Sequence, residues 1–163
     1  MHPNAARVQA ALEAAGSPAE VVELADSTRT SAEAAAALGV EQGQIAKSLL
    51  FLADGEPVLV ILSGSDRLDL ERLRRHVGAE KVERPDGSKV KELTGFPIGG
   101  VSPVGHSGPG SVPLRIVLDG GLRAYGVIWA AAGTPHAVFP TSFDELCAVT
   151  GADVADVRER PAS

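Results

Sequence analysis

Apolar positions along the chain fall into short groups whose period switches between helical and extended, with turn residues between them. Pro3 suits a first helical turn, and Val8, Leu12 and Ala15 follow at helical spacing before Gly16, which predicts a helix over residues 3–15. Val21 to Leu24 reads as a short strand. Thr30-Ser-Ala-Glu33 has capping-box spacing, and Gly39 closes the alanine-rich run behind it, which predicts a second helix. Two apolar runs, Ile45–Leu52 and Val58–Leu62, are separated by Ala53-Asp-Gly-Glu-Pro57, a hairpin signal. The second run is apolar on both faces, as in a central strand.

Asp69 can cap a helix carrying Leu70, Leu73 and Val77 up to Gly78, and a further helix runs from about Ser88 to Thr94 before Gly95. Phe96 to Pro113 is dominated by Gly, Pro and Ser, and an irregular stretch of that length inside a compact chain points to function. Leu114–Leu118 and Leu122–Trp129 flank Asp119-Gly-Gly121, a strong turn signal, and Ala137–Phe139 is one more strand. Thr141 is placed to cap a helix ending near Thr150, and Ala152–Val157 reads as a last strand. Short strands with few regular helical crossovers predict an α+β fold on a mixed, curled sheet.

With 163 residues and 44% apolar content, the chain fits one domain spanning 1–163 with a real core. Aromatics are only 4%, so the core is built mainly from Ala, Val, Leu and Ile. Met1 to Gly16 contains Glu13 and no apolar core of the kind a secretory signal needs. No apolar run approaches the roughly 20 residues needed to span a bilayer. These features, and the single Cys147, predict a cytoplasmic protein with no membrane partner. The net charge of −6 argues against a general nucleic-acid binder, DNA included. Residues 67–91 nevertheless carry eight basic side chains against five acidic ones. That zone is either a solvated helix face or a docking edge for a partner touched at one end.

Three constellations could carry chemistry. Lys47 shares a strand face with Ile45, Leu49 and Phe51, so its ammonium sits among apolar neighbours. It either snorkels to water or stands as a fixed cation at a pocket mouth, where partial desolvation strengthens its pull on a phosphate or carbonyl. Gly99-Gly100-Val-Ser102-Pro103-Val-Gly105-His106 could bring backbone N–H groups close to a ligand, or be a plain surface loop. It lacks the Gly-Lys-Ser/Thr ending of a phosphate-binding P-loop. Ala131-Ala-Gly133-Thr134-Pro-His136 leads small residues to a histidine that either reads a substrate or is structural. His2, His76, His106 and His136 show no metal-ligand spacing, so no metal and no cofactor are expected. Ser63 and Ser65 lack a nucleophile elbow, and Cys147 reads as a small core residue.

Taken together, Gln44-Ile-Ala-Lys47-Ser-Leu-Leu-Phe51, Gly99-Gly-Val-Ser-Pro-Val-Gly105 and Ala132-Gly-Thr-Pro-His136 resemble, in that order, the signature of the YbaK/ProX family. The family comprises free-standing tRNA editing domains related to the editing insertion of bacterial prolyl-tRNA synthetases. The resemblance implies a barrel-like mixed sheet with surrounding helices. It also implies hydrolysis of the ester between an amino acid and the terminal adenosine of tRNA.

It further implies that Lys47 holds the adenosine phosphate or the ester carbonyl. Gly99, Gly100, Ser102 and Gly105 would position substrate and water, with a ribose hydroxyl of the tRNA assisting. Thr30, Phe51, Pro103, Gly133, Thr134 and His136 would surround the substrate. His136 resembles the histidine of the alanine-editing branch, so a small amino acid such as alanine, on tRNA-Pro, is the expected substrate. The expected partners are the acceptor end of aminoacyl-tRNA and an aminoacyl-tRNA synthetase. A non-catalytic module binding a nucleotide or acceptor end is the alternative, and an unrelated small-ester hydrolase is a third.

Overall fold

The computed structural model describes residues 1–107 and 114–160, so residues 108–113 of the expected irregular stretch lie outside the described residues. Five helices are interspersed with the strands of a mixed sheet, the expected α+β arrangement. In chain order the elements are α1 (Pro3–Ala14), β1 (Val22–Glu23), α2 (Ser31–Leu38), β2 (Ile45–Ala53), β3 (Glu56–Ser63), α3 (Leu70–Val77) and β4 (Val82–Glu83). They continue with α4 (Gly87–Thr94), β5 (Arg115–Asp119), β6 (Ile128–Ala131), β7 (Ala137–Thr141), α5 (Phe143–Thr150) and β8 (Asp153–Ala155).

Local chemistry places most boundaries where the side chains ask for them. Thr30 caps α2 by accepting from the Glu33 N–H, and Asp69 caps α3 by accepting from Glu71 and Arg72. Gly39, Gly78, Gly95 and Gly151 close α2, α3, α4 and α5 in the left-handed conformation. The β2–β3 hairpin turns on Asp54 and Gly55, both at positive φ, as a two-residue primed turn requires.

Two boundaries differ from expectation. α5 is capped by Ser142, whose side chain accepts from the Glu145 N–H, and Thr141 ends β7 instead. The turn at Asp119-Gly-Gly121 is present as the 3-10 turn Gly120–Ala124, but the strand expected over Leu122–Trp129 begins only at Ile128, and β5 and β6 lie on opposite sides of the β2–β3 pair. The physical reason is the Asp119 carboxylate. It accepts from the N–H groups of Gly121 and Val157, binding the turn to the C-terminal segment so that β6 does not fold back on β5.

The strand order is β1-β7-β6-β2-β3-β5-β8, with β4 added to β2. β3 lies between antiparallel β2 and parallel β5, and Val58 to Leu62 are all essentially inaccessible. Alternation divides its side chains between two cores. Leu59 and Ile61 face the larger one with α1, α4 and α5, while Val58, Val60 and Leu62 join Leu73 of α3 on the other side.

β2 is the strand that matters for the site. One edge pairs with β3 along its length. The other meets β6 only at Ile45 and Ala46, and β4 only at Leu52 and Ala53. Between those contacts, from Lys47 to Phe51, no strand among the described residues is paired to that edge. The Ile45 carbonyl accepts from the Gly64 N–H on the β3 side. Alternation therefore aims the main-chain groups of Ser48 and Leu50 into the gap.

Candidate active site

The gap opens into a cavity of 280 Å³ bounded by the start of α2, by β2, by the chain after α4 and by β6. Lys47 stands at its wall. The side chain is half-buried, and its Nζ donates to the Asp66 carbonyl in the turn after β3. Burial lowers its pKa below the usual lysine value; the nearby Asp66 opposes this, and the like charges of Arg67 and Arg84 reinforce it. Among the described residues Arg29, Lys47 and Arg84 are the charged residues lining the cavity, and no carboxylate joins them. Such an enclosure favours an anion or a carbonyl on which negative charge develops.

Of the residues singled out in the sequence, Thr30, Lys47 and Gly99 line this cavity. The Thr30 hydroxyl is occupied with the backbone and carboxylate of Glu33, so Thr30 shapes the wall through its position. Gly99 has φ 87, and a Cβ there would meet Arg29 Cγ at 2.5 Å; glycine is what lets the loop close against the segment before α2.

The rest of the glycine loop fastens Gly99 to the body. A Cβ on Gly100 would lie 2.9 Å from the backbone of Thr134, so the two predicted motifs pack directly on each other. Ser102 is inaccessible, and its Oγ accepts from the Val104 N–H. Pro103 is buried. The Gly105 carbonyl accepts from Arg7 Nε, and His106 Nε2 donates to the Ser102 carbonyl at 2.7 Å. Gly133 accepts from Asn4 Nδ2, tying the second motif to α1.

His136 stands outside the lining. It is exposed, and its Nδ1 donates to the Asp26 carbonyl at 3.1 Å, while its own carbonyl accepts from Leu24. Thr134 accepts from the His136 N–H through its hydroxyl. His136 thus holds the segment before α2 against the start of β7, and Thr134 braces the turn that carries His136. Phe51 is buried on the neighbouring side of β2 and faces a second, adjacent cavity. Trp129, Ile98 and Arg84, which no motif marked, also line the first cavity. Trp129 carried a signal only through its register opposite Ile45, a long-range pairing.

The basic zone resolves into two sorts of cation. Arg72 pairs with Asp69, Arg74 and Arg75 both pair with Glu71, and Lys81 pairs with Glu83. The two arginines hold the Glu71 carboxyl down at about 2. Arg67 and Arg84 form no ion pair among the described residues. Cys147 is a partly buried thiol whose pKa is raised by burial and then by Asp144, which keeps it protonated and unreactive. Among the described residues no group of three or more His, Cys, Asp or Glu side chains converges as a metal site would.

The sequence profile of the aminoacyl-tRNA editing domain matches residues 25–148, which take in α2, the β2–β3 hairpin, the glycine loop and nearly all of α5. The chain belongs to the aminoacyl-tRNA editing domain family. A crystal structure of a proposed trans-editing enzyme for prolyl tRNA synthetase superposes on this editing domain with a TM-score of 0.90 at 48% identity, covering 98% of this chain and 99% of that one. A hypothetical protein of known structure is 34% identical, with a TM-score of 0.85 over 94% of this chain and 99% of the other. Among curated proteins, the proline–tRNA ligase of Maridesulfovibrio salexigens is 46% identical over 68 residues, 42% of this chain and 12% of the ligase. That of Geobacter sp. (strain M21) is 35% identical over 88 residues, 54% of this chain and 15% of the ligase. The editing domain thus matches only a small part of those ligases' length. No helix among the described residues is long and apolar enough to cross a membrane.

Proposed function

We propose that this chain is a trans-editing hydrolase that removes a small amino acid such as alanine from mischarged tRNA, with tRNA-Pro the first candidate. Water adds to the ester carbonyl, the bond to the ribose oxygen breaks, and free amino acid and deacylated tRNA leave. Lys47 holds the phosphate of the terminal adenosine or the ester carbonyl. Gly99, held in place by Gly100, Ser102, Pro103 and Gly105, brings the loop backbone to the substrate. A ribose hydroxyl assists the water, as the family resemblance implies.

The observation that supports this most is the half-buried ammonium of Lys47 at the wall of a carboxylate-free cavity, beside the unpaired edge of β2. Small walls favour a small substrate: Ala34, Ala130 and Ala131 lie along the cavity. One methylene more or less in such a pocket is worth about 1–3 kcal/mol, so size sets a preference among amino acids. The similarity to proline–tRNA ligases and to a proposed trans-editing enzyme supports tRNA-Pro as substrate and a prolyl-tRNA synthetase as partner.

Deacylation of a panel of mischarged tRNAs by wild type and Lys47→Ala tests the reading. Wild type should release alanine faster than larger amino acids, and the variant should lose roughly 10²- to 10³-fold in rate while keeping its fold. Acceptor-end binding with no turnover of any panel member would assign the chain to the non-catalytic alternative. Undiminished turnover in the variant would remove Lys47 from the mechanism.

A further inference from the structure

A second cavity, of 360 Å³, lies on the α3 side of β2 and shares Lys47, Leu49 and Arg84 with the first. Nothing in the proposed ester chemistry uses it. Its charged lining is Lys47, Arg67 and Arg84 against one acid, Glu159. Glu159 is fixed by its backbone, which donates to the Arg67 carbonyl at 2.7 Å. The neighbouring α3 arginines and Lys81 are paired with acids, whereas Arg67 and Arg84 have no such partner among the described residues. Three like charges gathered around one acid of the lining, Glu159, repel one another, a cost that a bound anion lowers. The Lys47 pKa is lowered chiefly by burial, against the pull of Asp66, and both arginines add to the lowering.

The remaining lining is apolar. Phe51, Leu68, Leu70 and Val82 line it, with the Arg84 guanidinium over the Phe51 ring at 5.8 Å from its centroid. Leu70 is half exposed although it opens a helix whose neighbour Leu73 is fully buried. An apolar surface beside a cation cluster matches a nucleotide, which brings a planar base and a phosphate at fixed separation. Volume and lining fall within the ordinary range for small-ligand sites, about 300–1,000 Å³.

We infer that this second cavity binds the nucleotide preceding the terminal adenosine, its base against Leu70 and Val82 and its phosphate between Arg67 and Arg84. The inference rests on the editing reading, because continuity through Lys47 makes one strand of nucleic acid fill both cavities in sequence. It also assigns the docking role to the unpaired cations of the basic zone and leaves the paired arginines of α3 as surface.

Arg67 and Leu70 line only the second cavity, so Arg67→Gln and Leu70→Ser isolate it. The substrates are adenosine and the 5′-phosphorylated dinucleotide 5′-phosphocytidylyl-adenosine, which carries the phosphate assigned to Arg67 and Arg84, each esterified with alanine at the terminal ribose. Each variant should lose roughly tenfold in kcat/KM on the dinucleotide and little on the adenosine ester, and Arg67→Gln should flatten the salt slope by about 0.7. Equal losses on both substrates, or none on either, overturn the subsite. Calorimetric binding of unacylated 5′-phosphocytidylyl-adenosine and of adenosine to the same three proteins separates the two levels of inference. If wild type cleaves neither ester, the editing reading fails. The subsite then stands if the dinucleotide binds wild type about tenfold tighter than it binds the variants, and falls if it does not.

Discussion

Lys47 was legible as a candidate because strand alternation puts its ammonium among Ile45, Leu49 and Phe51, an apolar company that needs an explanation. Arg84 carried no such mark. It follows the two-residue strand β4 in a stretch without period, and only folding brings it to Lys47. Their proximity makes a prediction about proton binding. Burial and the like charges of Arg67 and Arg84 lower the Lys47 pKa from 10.5, so the ammonium gives up its proton at lower pH than an exposed lysine does. A side-chain NMR titration should place the Lys47 midpoint below 10.5. Arg84→Gln, which removes one repelling charge, should move it upward. A midpoint at the ordinary value in both proteins would mean that the three cations are not close in solution.

Among the elements, helices were read most accurately, since caps and left-handed glycines act within one turn of chain. The Asp119 turn is legible but the late start of β6 is not, because the Asp119 carboxylate bonds across the molecule and sequence spacing carries no trace of that partner. The glycine loop was visible as composition, but its rigidity comes from contacts with α1 and from His106. Burial depresses the His106 pKa below 6.5, nearby Arg7 adds to this, and the bond to Ser102 opposes it. In the unfolded chain the imidazole takes up its proton near pH 6.5, whereas the folded loop holds it neutral to lower pH. Stability is therefore fully present above about pH 6.5 and declines as pH falls toward the folded-state value. Urea midpoints between pH 7.5 and 5 should show this decline in wild type and a shallower one in His106→Gln. Parallel curves would assign the acid sensitivity to other groups.

At the scale of the whole molecule, Asp119 connects the centre of the sheet to its last segment. The carboxylate is inaccessible, with one oxygen accepting from the N–H groups of Val157 and Arg158 and the other from Gly121 and the Arg158 guanidinium. Asp119→Ala strips those donors of their acceptor and should cost roughly 3 kcal/mol in urea unfolding. Asp119→Asn, which keeps one carbonyl oxygen, should cost less. A loss under 1 kcal/mol for the alanine variant would show that the C-terminal segment adds little to the fold. Such closure could not be read from the sequence, because it joins residues almost forty positions apart. The same holds for the parting of β2 from β6, which depends on a parallel pairing of distant segments.

That parting has a consequence for how the protein behaves among its own kind. Unpaired main-chain groups on a strand invite another chain to add itself, and repeated addition is the route to fibrils. Here the outer strands of the ladder are only two and three residues long, and β8 opens with Asp153, so the rim gives little to build on. Among the described residues the longer unpaired stretch lies between β6 and β4 at the wall of a cavity, away from that rim. The fold thus keeps its longest run of unpaired main-chain groups, among the described residues, recessed at a cavity wall and off the rim where other copies would add.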